Sequence, residues 1–245
     1  MRTCLLGAAL TVVLLCTTQV GAAPLMNIPE TTFDFGYCPQ NSQVTHTFWL
    51  HNAGDDTLVI TNVIPGCGCT KAPIERDRLG VGDSTRLEII FSTKRYSNRV
   101  SKRPRIQTNE GAPDKNVTIT ADVMVRPDSS YPIIIRPYKL DLSQFGEKTR
   151  DEITFAIENV SDKALKPTLI SSSNELMTLK LPKEIAPGKT EVATMKLTPE
   201  GVKQEFEKSF TIQLNDEQNT RFTVPTKRSI KNPDAVTAVG QNNGK

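Results

Sequence analysis

The chain has 245 residues, with 30 lysines and arginines against 27 acidic residues and a formal charge of +3 at neutral pH. A balance so close to neutral excludes the strongly basic class that binds nucleic acid, and no nucleic-acid partner is expected. The length suits two small domains or one large one.

Residues 1–22 have the layout of a secretory signal peptide. Arg2 precedes an apolar run from Leu5 to Leu15, and the small residues Gly21, Ala22 and Ala23 follow. Cleavage is expected after Ala22, because a cut after Ala23 would set Pro24 directly behind the scissile bond. The apolar run holds 11 residues, well short of the roughly 20 that a spanning helix needs, and nothing later is comparably apolar. The protein is therefore expected to be exported, without a transmembrane segment. Lipidation at Cys16 is less favoured, since the bulky Leu15 precedes it where lipidating peptidases want a small residue. Without the leader, lysines and arginines fall from 30 to 29 and the net charge to +2, while five cysteines become three: Cys38, Cys67 and Cys69.

An internal repeat divides the remainder. The stretch from Phe33 to Leu58 lines up without a gap on that from Leu140 to Leu165, at an offset of 107 residues. Asp34 meets Asp141, Phe48 meets Phe155, Asn52 meets Asn159 and Leu58 meets Leu165. After a shift of one, Leu79 to Phe91 overlays Ile185 to Leu197. This is a duplicated unit of roughly 100 residues, the size of a small sandwich.

Each copy reads as short strands. Val44, His46, Phe48 and Leu50 share one face of a strand, and Ile153, Phe155 and Ile157 take the equivalent face in the second copy. Leu87, Ile89 and Phe91 repeat the period of two, as do Val117, Ile119, Ala121, Val123 and Val125. Turns at Asn52–Asp55, Gly80–Asp83 and Pro187-Gly188 separate these runs. The expected fold is all-β, two tandem immunoglobulin-like β-sandwich domains over residues 30–127 and 132–230. The joint from Arg126 to Pro132 holds two prolines and should restrict the angle between domains. The tail, 231–245, carries no core pattern and is expected to be disordered.

Several of these residues carry a resemblance. The order Phe33-Asp34-Phe35-Gly36, then His51 to Asp55, then Leu58 to Thr70 with its Pro-Gly-Cys-Gly-Cys-Thr ending, then a glycine turn before Leu87-Glu88-Ile89-Ile90-Phe91, resembles the bacterial family called domain of unknown function 1573. The resemblance covers Thr32 to about Val125. It implies an immunoglobulin-type sandwich related to cilia-associated and sperm-protein-like modules, in exported proteins of Gram-negative bacteria, and so a periplasmic or outer-membrane-associated location. Cys38 stands where that family usually carries an aliphatic residue, and the second copy lacks Cys-Gly-Cys-Thr.

Little in the chain suggests catalysis. His46 overlays Ile153 and reads as a partly buried strand histidine, His51 as a solvated turn residue, so no histidine-based triad is expected. Gly188-Lys189-Thr190 lacks the upstream glycine of a phosphate loop and is the twin of Gly82-Asp83-Ser84. No catalytic residue and no cofactor is expected. A basic run, Lys94, Arg95, Arg99, Lys102, Arg103 and Arg105, could dock an acidic glycan, an anionic lipid surface or an acidic partner, although a solvated face with edge-strand lysines is the ordinary explanation and the favoured one.

Cys67 and Cys69 flank Gly68, and extended residues two apart project to one face. Four readings are open. The pair could hold a soft ion such as Cu(I), whereas closed zinc geometry would have only Cys38, His46 and His51 to complete it. It could close a small disulfide that is easily reduced. One cysteine could pair with Cys38, leaving the other free. Or the cysteines could be small buried side chains of a tight turn. The stretch Ile170 to Leu176 is the cysteine-free counterpart in the second copy, so the pair is dispensable for the fold. A disulfide or structural role fits better than metal binding or redox chemistry, because neither a histidine-acid arrangement nor a Cys-x-x-Cys spacing marks a thiol tuned for exchange. Cys38 overlays Phe145 and is expected to be a buried free thiol.

The expected function is non-catalytic binding or scaffolding by a subunit of a multi-protein assembly in the bacterial cell envelope, with peripheral association with the outer membrane as one setting. The rivals are a copper or redox factor centred on Cys67 and Cys69, and a chaperone-like protein that completes a client's sheet.

Overall fold

A computed structural model describes residues 21–146 and 148–231. The expected leader, except for residues 21 and 22, lies outside the described residues, as does the expected tail beyond Lys231.

Among the described residues the fold is all-β, with one short α-helix, Pro199–Lys203, and a 3-10 turn, Pro127–Ser129. In the first copy, one sheet has the order Met26–Asn27, Gln43–Asn52, Ser84–Ser92, Thr70–Lys71. Val44, Phe48 and Leu50 of Gln43–Asn52 face Leu87, Ile89 and Phe91 of Ser84–Ser92, and all six are buried. The opposing layer contains Leu58–Ile64 with Arg105–Thr108, and Thr32–Pro39 with Thr118–Met124 and Asn98–Lys102. In the second copy, Ile133–Arg136, Glu152–Asn159, Thr190–Leu197 and Met177–Lys180 form one sheet. Thr168–Ser171, Phe206–Gln213 and Arg221–Arg228 form the other layer. Each copy closes its own apolar core, as alternating strand faces require.

The duplication extends to individual hydrogen bonds. The Asn52 side-chain amide donates to the carbonyls of Asp56 and Leu79, and its backbone carbonyl accepts from Gly82. Asn159 does the same with Lys163, Ile185 and Gly188. Gly82 and Gly188 both have positive φ, 77° and 67°, which suits glycine at the two turns. These matched turns show Gly188-Lys189-Thr190 leading into the strand Thr190–Leu197, as Gly82-Asp83-Ser84 leads into Ser84–Ser92.

Three expectations are corrected. Val125 lies beyond the end of Thr118–Met124 and is 62% exposed, so the alternation stops at Val123. Phe145 is 71% exposed and is no structural counterpart of Cys38, although Cys38 is buried and free. The reason is local. Thr32–Pro39 runs inside a sheet between two neighbours, whereas the matching chain in the second copy breaks into the two-residue strands Leu140–Asp141 and Gln144–Phe145. The third correction concerns the boundary at 230, since Lys231 belongs to a short strand, Ile230–Lys231, paired with Gln144–Phe145.

The two copies share a sheet. Thr168–Ser171, Phe206–Gln213, Arg221–Arg228, Thr32–Pro39, Thr118–Met124 and Asn98–Lys102 run in that order across the boundary, with Tyr37 opposite Phe222 in a parallel pairing. The Thr223 hydroxyl donates to the Phe35 carbonyl at 2.6 Å and the Tyr138 hydroxyl to the Tyr37 carbonyl at 3.0 Å. Gly36, at φ +60°, allows the approach, because a Cβ there would sit 2.2 Å from the Arg221 carbonyl oxygen. The shared sheet, more than the proline-bearing joint, fixes the angle between the domains.

Candidate functional site

The Cys67–Cys69 turn is built by two strand ends. Leu58–Ile64 stops at Pro65, Gly66 turns the chain with φ 84°, and Thr70–Lys71 then pairs with Phe91 and Ile90. The Ser92 amide donates to the Cys69 carbonyl at 2.8 Å, and the Thr70 amide to the Cys67 carbonyl at 3.3 Å. With the turn so held, Cys67 and Cys69 are joined by a disulfide across Cα atoms 5.3 Å apart. Of the four readings, the small disulfide is the one adopted, and neither sulfur is bonded to Cys38. The Thr70 hydroxyl lies 3.4 Å from Cys67 Sγ and 3.6 Å from Cys69 Sγ.

After Ser92 the chain is anchored again. The Thr93 hydroxyl donates to the carbonyls of Pro39 and Ser42, and the Tyr96 amide returns to the Thr93 carbonyl. Lys94 and Arg95 are left exposed at the tip of this turn. They line, with Cys67, Gly68, Cys69, Ser92 and Tyr96, a cleft of about 500 Å³. Tyr96 packs on Phe91, centroids 5.4 Å apart, and Lys102 Nζ lies 4.5 Å from the Tyr96 ring centroid. Two features that are 25 residues apart in the chain, Cys69 and Lys94, thus meet. Tyr96 and Ser92 escaped the sequence reading, and Thr70 entered it only as the end of the family run. Thr70 directly after the second cysteine and Tyr96 inside the basic run were the available signals.

The basic run does not form one face. Lys94 and Arg95 belong to the disulfide cleft. Arg99 points the other way, 3.0 Å from Asp34 and paired with Asp122, as strand alternation requires of residues three apart when Lys102 faces Tyr96. Arg105 pairs with Asp114 at 3.3 Å. Among the described residues no carboxylate pairs with Lys94, Arg95, Lys102 or Arg103.

Cys38 is sealed in the core, and burial, with Asp122 and Asp34 adding to it, pushes its thiol up to about 12. His46 is buried and stacked on Phe33 at a centroid distance of 3.5 Å. Burial, reinforced by Arg221, lowers its pKa to about 4 and outweighs the Glu30 carboxylate 3.1 Å away. The ring is therefore neutral at pH 7. Nε2–H donates to Glu30, which leaves Nδ1 to accept from the Ser171 hydroxyl at 3.0 Å. His51 is bonded to Ser84 at 2.6 Å and partly buried. Among the described residues no three His, Cys, Asp or Glu side chains converge to hold a metal ion.

A second concavity follows the seam. It has a volume of about 560 Å³ and takes Asp34, Gly36, Arg99 and Asp122 from the first copy and Gln218 and Arg221 from the second. Its walls are mixed, with Phe33 and Tyr37 among mainly polar side chains, and both copies are needed to form it.

Two tandem immunoglobulin-type sandwiches, fused through one sheet and carrying a disulfide-floored cleft, define the class of protein. The chain belongs to the family described as "Protein of unknown function (DUF1573)", whose model matches residues 26–123 and 133–226. The match reaches the second copy, beyond the stretch from Thr32 to Val125 on which the resemblance rested. No curated protein matches the chain in sequence. Among solved structures, a protein of unknown function from Porphyromonas gingivalis is similar over 83% of this chain and 99% of its own, at 14% identity and a TM-score of 0.34. The E. coli chaperone DraB is similar over 84% of this chain and 96% of its own, at 9% identity and a TM-score of 0.32. Likenesses so distant carry no role across.

Proposed function

We propose that the protein is a non-catalytic binding or scaffolding subunit, exported to the bacterial cell envelope and working within a larger protein assembly in the periplasm or at the outer membrane. The observation that carries this reading is the seam groove. A mainly polar concavity walled by both copies, on a sheet that fixes their angle, offers a partner one composite surface that neither domain has alone. The closed Cys67–Cys69 disulfide suits an oxidising compartment, and the layout of residues 1–22 supports export.

Affinity purification of the full-length protein from cross-linked native envelopes, followed by mass spectrometry, tests the reading. A reproducible set of partners, lost when Gln218→Arg fills the groove, is the expected result. A protein that comes down alone and as a monomer in every repeat removes the support. Terminal sequencing of the envelope form should begin at Ala23.

One observation favours a second reading. Asn98–Lys102 is the outer strand of the shared sheet and pairs, among the described residues, only with Thr118–Met124. An open edge of this kind could accept a client strand. The charged side chains of Arg99 and Lys102 on this strand discourage indiscriminate edge-to-edge pairing.

A further inference from the structure

We infer that the Cys67–Cys69 disulfide is a thiol–disulfide exchange centre that reacts preferentially with thiols carrying negative charge. This adds a stoichiometric exchange, one client disulfide per Cys67–Cys69 bond, to the non-catalytic binding role proposed above, and neither depends on the other.

The bond is poorly explained as a staple. It joins residues two apart, so the loop it closes restrains the unfolded chain far less than one joining distant strands would. The second copy builds the same sandwich with Ile170 to Leu176 in place of the cysteine turn. The turn is also placed for access. Gly68 is exposed and both cysteines are partly exposed at the floor of an open cleft, unlike Cys38, whose thiol is enclosed by the core.

The surroundings favour the chemistry. Exchange needs a leaving thiolate, and cations and hydroxyl donors stabilise one. The Thr70 hydroxyl is within reach of both sulfurs, and Lys94 and Arg95, without carboxylate partners among the described residues, share the cleft. The two sulfurs differ in setting. Cys69 packs against the first core, whereas Cys67 does not, so the incoming sulfur meets Cys67. A client thiolate attacks Cys67 Sγ, the Cys67–Cys69 bond breaks, and a mixed disulfide forms on Cys67 while Cys69 leaves as a thiolate. A second client thiolate then attacks the client sulfur of the mixed disulfide and releases Cys67. Two client thiols are oxidised to one disulfide, the pair is reduced to two thiols, and the two client protons pass to Cys67 and Cys69 or to solvent. Lys94 and Arg95 hold a negatively charged thiol at the cleft and steady the departing Cys69 thiolate.

The test uses the purified full-length protein with reduced glutathione as the anionic thiol and cysteamine as the cationic one, followed by alkylation and mass measurement of Cys67 and Cys69. The expected result is reduction within minutes at millimolar glutathione. Lys94→Glu together with Arg95→Glu, both surface changes, should lower the glutathione rate about tenfold while the cysteamine rate is held or raised. In Cys69→Ser, treatment with oxidised glutathione should leave one glutathione on Cys67. The proposal is overturned if the disulfide stays closed in millimolar glutathione, if charge reversal slows both thiols equally, or if the Cys69→Ser protein takes up no glutathione.

Discussion

Thr45 and Ser209 exchange three hydrogen bonds across the boundary between the two copies. The Thr45 amide donates to Ser209 Oγ at 2.8 Å, the Ser209 amide to Thr45 Oγ1 at 3.2 Å, and the Ser209 hydroxyl to the Thr45 carbonyl at 3.3 Å. Both residues are buried. Ser209→Ala removes only the hydroxyl, strands the Thr45 amide and carbonyl, and should cost about 2–3 kcal/mol. Calorimetry should show one unfolding transition in the wild type and two in the variant, as the second domain melts apart from the first.

The matched asparagines give a control within the same molecule. Asn52→Ala and Asn159→Ala each leave buried carbonyls of one turn without a donor, so each should destabilise its own domain by on the order of 3 kcal/mol. Urea unfolding followed by peptide-resolved hydrogen exchange would assign each loss to its copy.

His46 makes stability depend on pH. Its pKa falls from the usual 6.5 of a free imidazole to about 4 in the folded protein, so the unfolded chain binds the proton first. Stability is fully present above pH 6.5 and is lost as pH falls toward 4, by on the order of 2–3 kcal/mol. The facing charges are Glu30 and Arg221. His46→Gln, which cannot be protonated, should flatten the curve in that window in denaturant titrations at a series of pH values.

Removing the disulfide should matter little to the fold. Cys67→Ser with Cys69→Ser should lower stability by no more than about 1.5 kcal/mol, the chain-entropy value for so short a loop, and thermal denaturation would read it. A loss of several kcal/mol would make the bond a structural staple.

Most of the fold was legible in the sequence because burial and period agree. The faces of Val44, Phe48 and Leu50, and of Leu87, Ile89 and Phe91, follow from alternation alone, and the Asn52 and Asn159 turns follow from the repeat. The seam was not legible. It depends on Gly36 meeting the Arg221 backbone and Tyr37 lying beside Phe222, pairs separated by about 185 residues, which no local pattern encodes. The site was half legible for the same reason. Cys67 and Cys69 announce a turn, but only the pairing of Thr70 with Phe91 and the anchoring of Thr93 bring Lys94 and Arg95 to it. How the basic run divides was not legible either, because its charge is split between strand faces, with Arg99 and Arg105 paired to Asp34, Asp122 and Asp114.

The account rests on the two copies acting as one body, and the amide of Thr45 reports that directly. Its partner is the Ser209 hydroxyl of the other copy, whereas its own strand neighbour, Ile90, lies opposite in the sheet. Hydrogen exchange at this amide, measured by nuclear magnetic resonance on the full-length protein, should be as slow as that of Phe48 in the core strand. Exchange at the rate of an exposed amide, with Phe48 still protected, would show that the domains part in solution and would contradict the shared-sheet platform.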